Sequence, residues 1–473
     1  MKKNAADTEC RLEIRRLRLL GLALFLCYAY FFYLGGNWNV ESRSAQIYAL
    51  AERGTLVIDA YPFLPPGGGD AAKFGGHYYS DKLLGPSLVA VPFYLPLRHL
   101  LTAIGLDERR AVYFSLRLTN LITNAFPSAL LGGALYLFLA HLGLSAGLRV
   151  WLALAYGLGT LAFPYSTLLF GHQLAAVAIG FAFMLLWLQR ADWSPRRALV
   201  AGALLGFAAI SDVMGLFVAF ILGFYAISTA VQHREGAGRV VRRIAPLALI
   251  ALAIFAVQLL ANWSSFGSPL TFPHIYHAQA AFRARHTAGL FGLHLPQLYP
   301  LYQLTVGPWR GLFYGSPVLL LALPGLVLLG RKFRAEVITI AVSYLAILMI
   351  NSGYENWTTG SAYGPRYEIV VLPLLVIALA PAAQRWPFIF KTLALISIAF
   401  TTIVTAATPL LPEDLRNPLA NALAQFAQGN LQHANLGSLL GLPGLTSLVP
   451  LALIVAALLF AIQRASGIHT RQT

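Results

Sequence analysis

The sequence predicts an all-α polytopic membrane protein with about 12 transmembrane helices and juxtamembrane helices in its first outer loop. Three observations carry that fold class. Of the 473 residues, 58% are hydrophobic, and the mean hydropathy is +0.66. Apolar runs of roughly 17 to 25 residues recur, the length that crosses a bilayer core. Charged residues make up only 11% of the chain and gather in short clusters between those runs. With lipid as solvent, such runs must satisfy their own backbone hydrogen bonds, which makes them helices.

Met1 to Arg18 carries six basic residues and is expected on the cytoplasmic side, so the first span, Leu19 to Gly35, runs outward. No small-residue cleavage site follows, which makes it an uncleaved span rather than a signal peptide. In the next apolar stretch, Ser87 to Leu106, Pro86, Pro92 and Pro96 spoil a straight helix, and Arg98 with His99 interrupts the run. That stretch is expected to be re-entrant or juxtamembrane, a choice that leaves 21 of the 34 Lys and Arg residues inside.

Further spans are expected at Val112–Ala140, Val150–Ser166, Leu174–Leu188, Ala198–Ile210, Val213–Val231 and Ile244–Trp263. Five more lie at Leu312–Leu329, Val337–Ile350, Ile369–Leu379, Pro387–Thr408 and Leu448–Ile462. Both termini are then cytoplasmic, in a membrane of the bacterial inner type. Cys10 and Cys27 are the only cysteines, and no disulfide is expected. The net charge of +16 follows the inter-span clusters, so it speaks for membrane orientation and against nucleic acid. Residues 1–473 are expected to form one transmembrane domain. It carries three sizeable outer loops: Asn37 to Ala111, Ser264 to Gly311, and Pro409 to Ser447, the last of unknown role.

Chemistry is expected in the first outer loop, where nine charged residues fall between Asn37 and Pro86. Ser42 to Arg53 has the pattern of an amphipathic helix lying on the membrane surface, stopped by Gly54. Glu41 at its start is favoured by the helix dipole, or else serves as a general base facing an acceptor hydroxyl. Arg43, Lys73 and Lys82 bind ordinary anionic headgroups, or converge on one phosphate. Asp70 near Lys73 and Asp81 beside Lys82 have the spacing of surface ion pairs. His172 and Asp212, at outer span ends, suit packing or capping better than catalysis. Trp357 fits an aromatic belt as readily as a sugar platform.

Several motifs together resemble the GT-C glycosyltransferase superfamily, in its bacterial branch of protein O-mannosyltransferases and aminoarabinose transferases. They are Glu41-Ser-Arg43, Ala51-Glu-Arg-Gly-Thr55, Ile58-Asp59, Gly76-His-Tyr-Tyr-Ser-Asp-Lys82 and Gly85-Pro86. The likeness continues through Phe170-Gly-His172-Gln173, Asn262 to Pro269, Pro308-Trp-Arg310-Gly-Leu-Phe313 and Trp357 to Tyr367.

The resemblance implies inverting transfer of a sugar from a polyprenyl-phosphate donor to a glycan, lipid or protein acceptor on the outer face. It places Glu41 at the acidic catalytic position, Arg43 at the phosphate-binding arginine and Lys82 at the lysine of a Lys-Pro-Pro-like element. Two departures stand out: a lone Glu where many members carry Asp or an acidic pair, and Lys-Leu-Leu-Gly-Pro in place of Lys-Pro-Pro. Asp59 and Asp81 therefore stay open as the base. Lys73, Arg310 and Arg366 complete the phosphate candidates, and His77, Tyr79, Trp357 and Tyr367 are the substrate-contact candidates. No cofactor is expected, and no carboxylate pair has hard-cation spacing, so a divalent metal is not indicated. The alternative class is a lipid or glycolipid flippase. It is disfavoured because the span interiors hold almost no ionisable residue.

Overall fold

The computed structural model describes residues 2–232 and 236–467. Its helices are α1 (Lys2–Ala29), α2 (Trp38–Tyr48), α3 (Gly85–Ala103), α4 (Glu108–Leu142), α5 (Ala146–Gly159), α6 (Gly171–Leu188), α7 (Pro195–Ser211) and α8 (Val213–Val231). The second half supplies α9 (Ala237–Phe266), α10 (Ala280–Thr287), α11 (Pro317–Gly330), α12 (Arg334–Ser352), α13 (Arg366–Arg385), α14 (Pro387–Ala407) and α15 (Gly444–Arg464). Most of the expected spans fall largely on helix, with breaks at Thr160-Leu161 and at Ser316. Among the described residues, eight helices are long and apolar enough to cross a membrane unaided: α4, α6, α8, α9, α12, α13, α14 and α15. Shorter apolar helices such as α5 and α11 complete the bundle.

Burial separates centre from rim. The apolar windows of α6 and α13 are each 83% buried, whereas that of α9 is 11% buried and presents Leu249, Leu252, Leu260 and Trp263 outward. A helix apolar all round and exposed on most of its surface belongs against lipid. A second apolar cluster joins α1, α4, α5 and α15 through Leu20, Leu24, Tyr28, Ala129, Leu154 and Leu451.

Four short strands lie among the described loops: β1 (Phe31–Phe32), β2 (Ala71–Phe74), β3 (His77–Ser80) and β4 (Ala434–Asn435). β2 and β3 form an antiparallel hairpin whose two-residue turn is Gly75-Gly76, both at positive φ, as a tight primed turn requires. β1 pairs with β4, and the Tyr30 hydroxyl donates to the Ser447 carbonyl at 2.5 Å. The first and last outer segments are thereby sewn together.

Three expectations are corrected. The first span does not run helically to Gly35; it ends at Ala29 and passes into β1. α3 is one continuous helix through Pro92 and Pro96. The helix expected at the surface from Ser42 begins at Trp38, capped by the Asn37 side chain, which accepts from the Asn39 amide at 3.0 Å. It is buried from Asn39 to Ile47. Its polar residues find internal partners: Ser42 meets Ser80 at 2.8 Å, Ser87 donates to Gln46 at 2.6 Å, and Arg117 donates to Ser44 at 3.0 Å.

The α7–α8 break at Ser211-Asp212 is gripped by two glycines. A Cβ on Gly171 would run into the Ser211 carbonyl and sit 3.0 Å from an Arg43 guanidinium nitrogen; one on Gly85 would strike the Ser211 side chain. Gly171→Ala is therefore expected to cost about 1–3 kcal/mol, read as a lowered melting temperature in detergent.

Candidate active site

The hairpin register creates the centre. Ala71 lies opposite Ser80, so Asp70 and Asp81, one residue beyond each strand end, are brought side by side. Lys82 Nζ sits between them, 3.0 Å from Asp70 Oδ2 and 3.0 Å from Asp81 Oδ2. All three side chains are largely withdrawn from solvent. The second outer loop closes over them. Ala278 N donates to Ala71 O at 2.7 Å, His277 Nε2 lies 3.7 Å from Asp70 Oδ1, and His274 Nε2 lies 3.7 Å from Asp81 Oδ2.

Across from this triad lies a second set. Arg43 on α2 is 3% exposed and donates through Nε to Asn39 Oδ1 at 3.3 Å, while its buried Nη1 has no hydrogen-bond partner among the described residues. Asp212 accepts from the Met214 amide at 2.9 Å, starting α8, and pairs with His172. Arg366 lies over the Phe170 and Tyr367 rings, 5.5 and 5.8 Å from their centroids, with a buried Nε likewise unpartnered among the described residues. Buried guanidinium N–H groups without acceptors are costly unless a ligand supplies them, and an anion is the ligand that fits.

Two cavities share this charged wall. The first runs from Arg43, Asp81 and Lys82 to an apolar end formed by Met214, Leu216 and Ile350. Exposed Phe217, Phe272 and Phe291 rim that end. The second is polar and lined by Asn37, Asp70, Asn356 and Ser361 among others. Asn39, Asp81, Lys82, His274, His286, Arg366 and Tyr367 belong to both.

Of the residues singled out in the sequence, Arg43, Asp81, Lys82, Arg366 and Tyr367 meet at this wall. His172 and Asp212 line the first cavity and Asp70 the second, and the remaining candidates stand elsewhere. Glu41 lines neither cavity; its buried carboxylate accepts from Arg117 and, at 2.7 Å, from the Tyr61 hydroxyl. Asp59 is held on the outer surface by His77 Nδ1 and the Tyr78 amide, each at 2.7 Å. Lys73 is exposed, 5.4 Å over the Tyr78 ring, and Tyr79 packs on Phe266. Arg310 donates to the Ala362 and Gly360 carbonyls, tying down the loop that leads to Arg366. Trp357 packs edge-on against Trp309 and Tyr299. Asp70 does not pair with Lys73 at the surface; the hairpin delivers it to buried Lys82. His274, His277 and His286 carried no local signal, because only the fold of the second outer loop brings them here.

No protein-family model matches the sequence, and no curated protein is significantly similar to it. Among solved structures, the chain resembles ArnT from Cupriavidus metallidurans bound to undecaprenyl phosphate, at 16% identity and a TM-score of 0.52, covering 96% of this chain and 76% of that one. It also resembles ArnT from the same organism in the apo state, at 16% identity and a TM-score of 0.53, covering 98% of this chain and 76% of that one. The fold is GT-C-like. At this identity the correspondence is one of architecture.

The electrostatics of the wall have clear physical causes. Burial alone would raise the Asp70 pKa; the Lys82 charge and hydrogen bond and the nearby His277 imidazole overcome it and hold the carboxyl well below the usual range. Burial opposes charge on Lys82 as well, yet Asp70 and Asp81 keep its pKa above the ordinary lysine value. Desolvation, with the neighbouring His274 and His277, pushes His286 down to about 3, and the Tyr354 hydroxyl lies 2.6 Å from its Nδ1. Among the described residues, no group of three or more His, Cys, Asp or Glu is disposed to hold a metal ion.

A histidine held neutral in the fold and protonated when unfolded near its ordinary pKa of ~6.5 contributes stability that is full above that value. The contribution is lost as pH falls toward about 3, the folded value of His286. Thermal unfolding in detergent is therefore expected to move to lower temperature between pH 7.5 and 5, with a shallower slope in His286→Gln.

Proposed function

We propose that the chain is an inverting glycosyltransferase that takes its sugar from a polyprenyl-phosphate donor and passes it to an acceptor on the outer face of the membrane. One observation carries the proposal: an apolar cavity rimmed by exposed aromatics and a polar cavity meet at a wall holding Lys82, Arg366 and Asp81. An amphiphile with a hydrocarbon tail, a phosphate and a sugar matches that sequence of environments. ArnT, whose architecture this chain shares, is known bound to undecaprenyl phosphate, which supports a donor of that type.

The tail lies along Met214, Leu216 and Phe217, and the phosphate takes the unpartnered N–H groups of Arg43 and Arg366 together with Lys82. As the bond from the anomeric carbon to the phosphate oxygen breaks, the electron pair leaves with polyprenyl phosphate. Preorganised cations stabilise the charge that develops there. Lys82, drawn to the phosphate, relaxes its hold on Asp81. That carboxylate accepts the acceptor's proton while the acceptor oxygen attacks the opposite face of the anomeric carbon, giving inversion.

Asp81 is the base in this reading because it is the one candidate of the three that borders both cavities. Glu41 is a positioning residue. Its pairing with Arg117 and Tyr61 anchors the helix that presents Arg43. The two assignments separate experimentally. Asp81→Asn is expected to slow release of polyprenyl phosphate from a cognate donor in liposomes by about 10²–10⁴-fold while donor binding persists. Glu41→Gln, which leaves Arg117 buried and unpaired, is expected to cost about 3–5 kcal/mol of stability and to spare kcat within threefold in the folded fraction. Full turnover by Asp81→Asn removes the base assignment; transport of intact donor without release of polyprenyl phosphate favours the flippase instead.

Outer-face transfer follows from the charge parity of the loops. Reporter fusions after Leu142 are expected to report cytoplasm, and an external signal there reverses the sidedness.

A further inference from the structure

The outer segment between α14 and α15 shows no motif in the sequence, yet it supplies Glu413 to the polar cavity. We infer that Glu413 reads hydroxyl groups on the sugar of the donor, which makes this late segment the specificity wall of the site. The inference rests on the donor reading above and adds the part of the molecule that selects the sugar.

The carboxylate is built in. Glu413 Oε1 accepts from the Thr358 hydroxyl at 2.5 Å and from Arg285 Nη1 at 3.2 Å, and the Glu413 backbone carbonyl accepts from Trp309 Nε1 at 2.9 Å. Arg285 Nη1 also donates to Asn356 Oδ1 at 3.2 Å, and the Arg416 guanidinium lies 4.2 Å over the Trp309 ring. Oε2 has no hydrogen-bond partner among the described residues, and the side chain is 30% exposed toward the cavity it lines.

The charge balance sets the chemistry. Arg285 already neutralises Glu413, one guanidinium against one carboxylate. The site therefore suits a neutral hydroxyl, which donates to a charged oxygen in a strong hydrogen bond, better than it suits a free cation. The surroundings are those that bind carbohydrate: the amide of Asn356, the hydroxyls of Thr359 and Ser361, and the Trp38 and Phe282 rings, whose centroids lie 6.4 Å apart. The donor's sugar is the fitting occupant because the polar cavity begins at the wall where the phosphate sits, so a ring attached to that phosphate extends into it.

Native mass spectrometry of the full-length protein in detergent tests this with undecaprenyl phosphate and with undecaprenyl phosphate carrying glucose, galactose, mannose or arabinose. The wild type is expected to bind at least one sugar-bearing lipid more tightly than the bare one. Glu413→Gln, which turns an accepting oxygen into a donating amide, is expected to cut that preference tenfold or more with bare-lipid affinity within twofold. Ser361→Ala, away from the Glu413–Arg285 pair, is expected to act in the same direction by a smaller factor.

Retention of the full preference by Glu413→Gln overturns the inference. So does an equal loss for bare and sugar-bearing lipid, which marks Glu413 as structural, and so does a wild type that binds the whole panel no better than bare lipid. A wild type that binds no polyprenyl phosphate at all removes the donor reading, and this inference falls with it.

Discussion

One ammonium between two carboxylates organises the outer half of this protein. Lys82, withdrawn from water, is tolerable only because Asp70 and Asp81 flank it at 3.0 Å each, and they are tolerable only because of it. The pair exists because a four-residue hairpin has one register, and the register exists because two glycines make its turn. From that point, contacts spread outward: His274 and His277 come in from the second outer loop, and Ser42 donates to Asp81 Oδ1 from α2 at 3.3 Å.

The charges away from the two cavities are arranged differently from those that line them. Glu41 with Arg117 and Tyr61, and Asp59 with His77, are closed sets in which the carboxylate's partners belong to the protein. Arg43 and Arg366 are open, each keeping a buried N–H without an acceptor among the described residues. Other arginines, Arg117 and Arg310 among them, also keep such a nitrogen, but Arg43 and Arg366 are the ones that line the two cavities, where an anion could complete them.

Much of the architecture was legible because lipid imposes a simple rule on sequence. Long apolar runs became helices where expected, and the basic clusters marked the breaks between them. The departure at α2 came where polar residues outnumber apolar ones. α2 carries Arg43, Gln46 and Glu41 and has the look of a surface helix, but its polar side chains are satisfied internally by Ser80, Ser87, Tyr61 and Arg117. Periodicity cannot tell solvated polarity from internally paired polarity.

The site was half legible for the same reason. Arg43, Asp81, Lys82 and Arg366 stand in recognisable motifs. Glu41 occupies the expected acidic position, but the orientation of its carboxylate is decided by Arg117, 76 residues further on. The histidines of the second outer loop and Glu413 of the last one reach the cavities through tertiary packing alone, and no spacing in the chain foreshadows that.

The two-residue ladder between β1 and β4 gives the chain's biogenesis an order. Phe31 leaves the first helix early in synthesis but waits for Asn435 before its backbone is paired, and Glu413 also arrives late. A polypeptide halted before its last outer segment therefore lacks both the partner strand of β1 and the Glu413 side of the polar cavity.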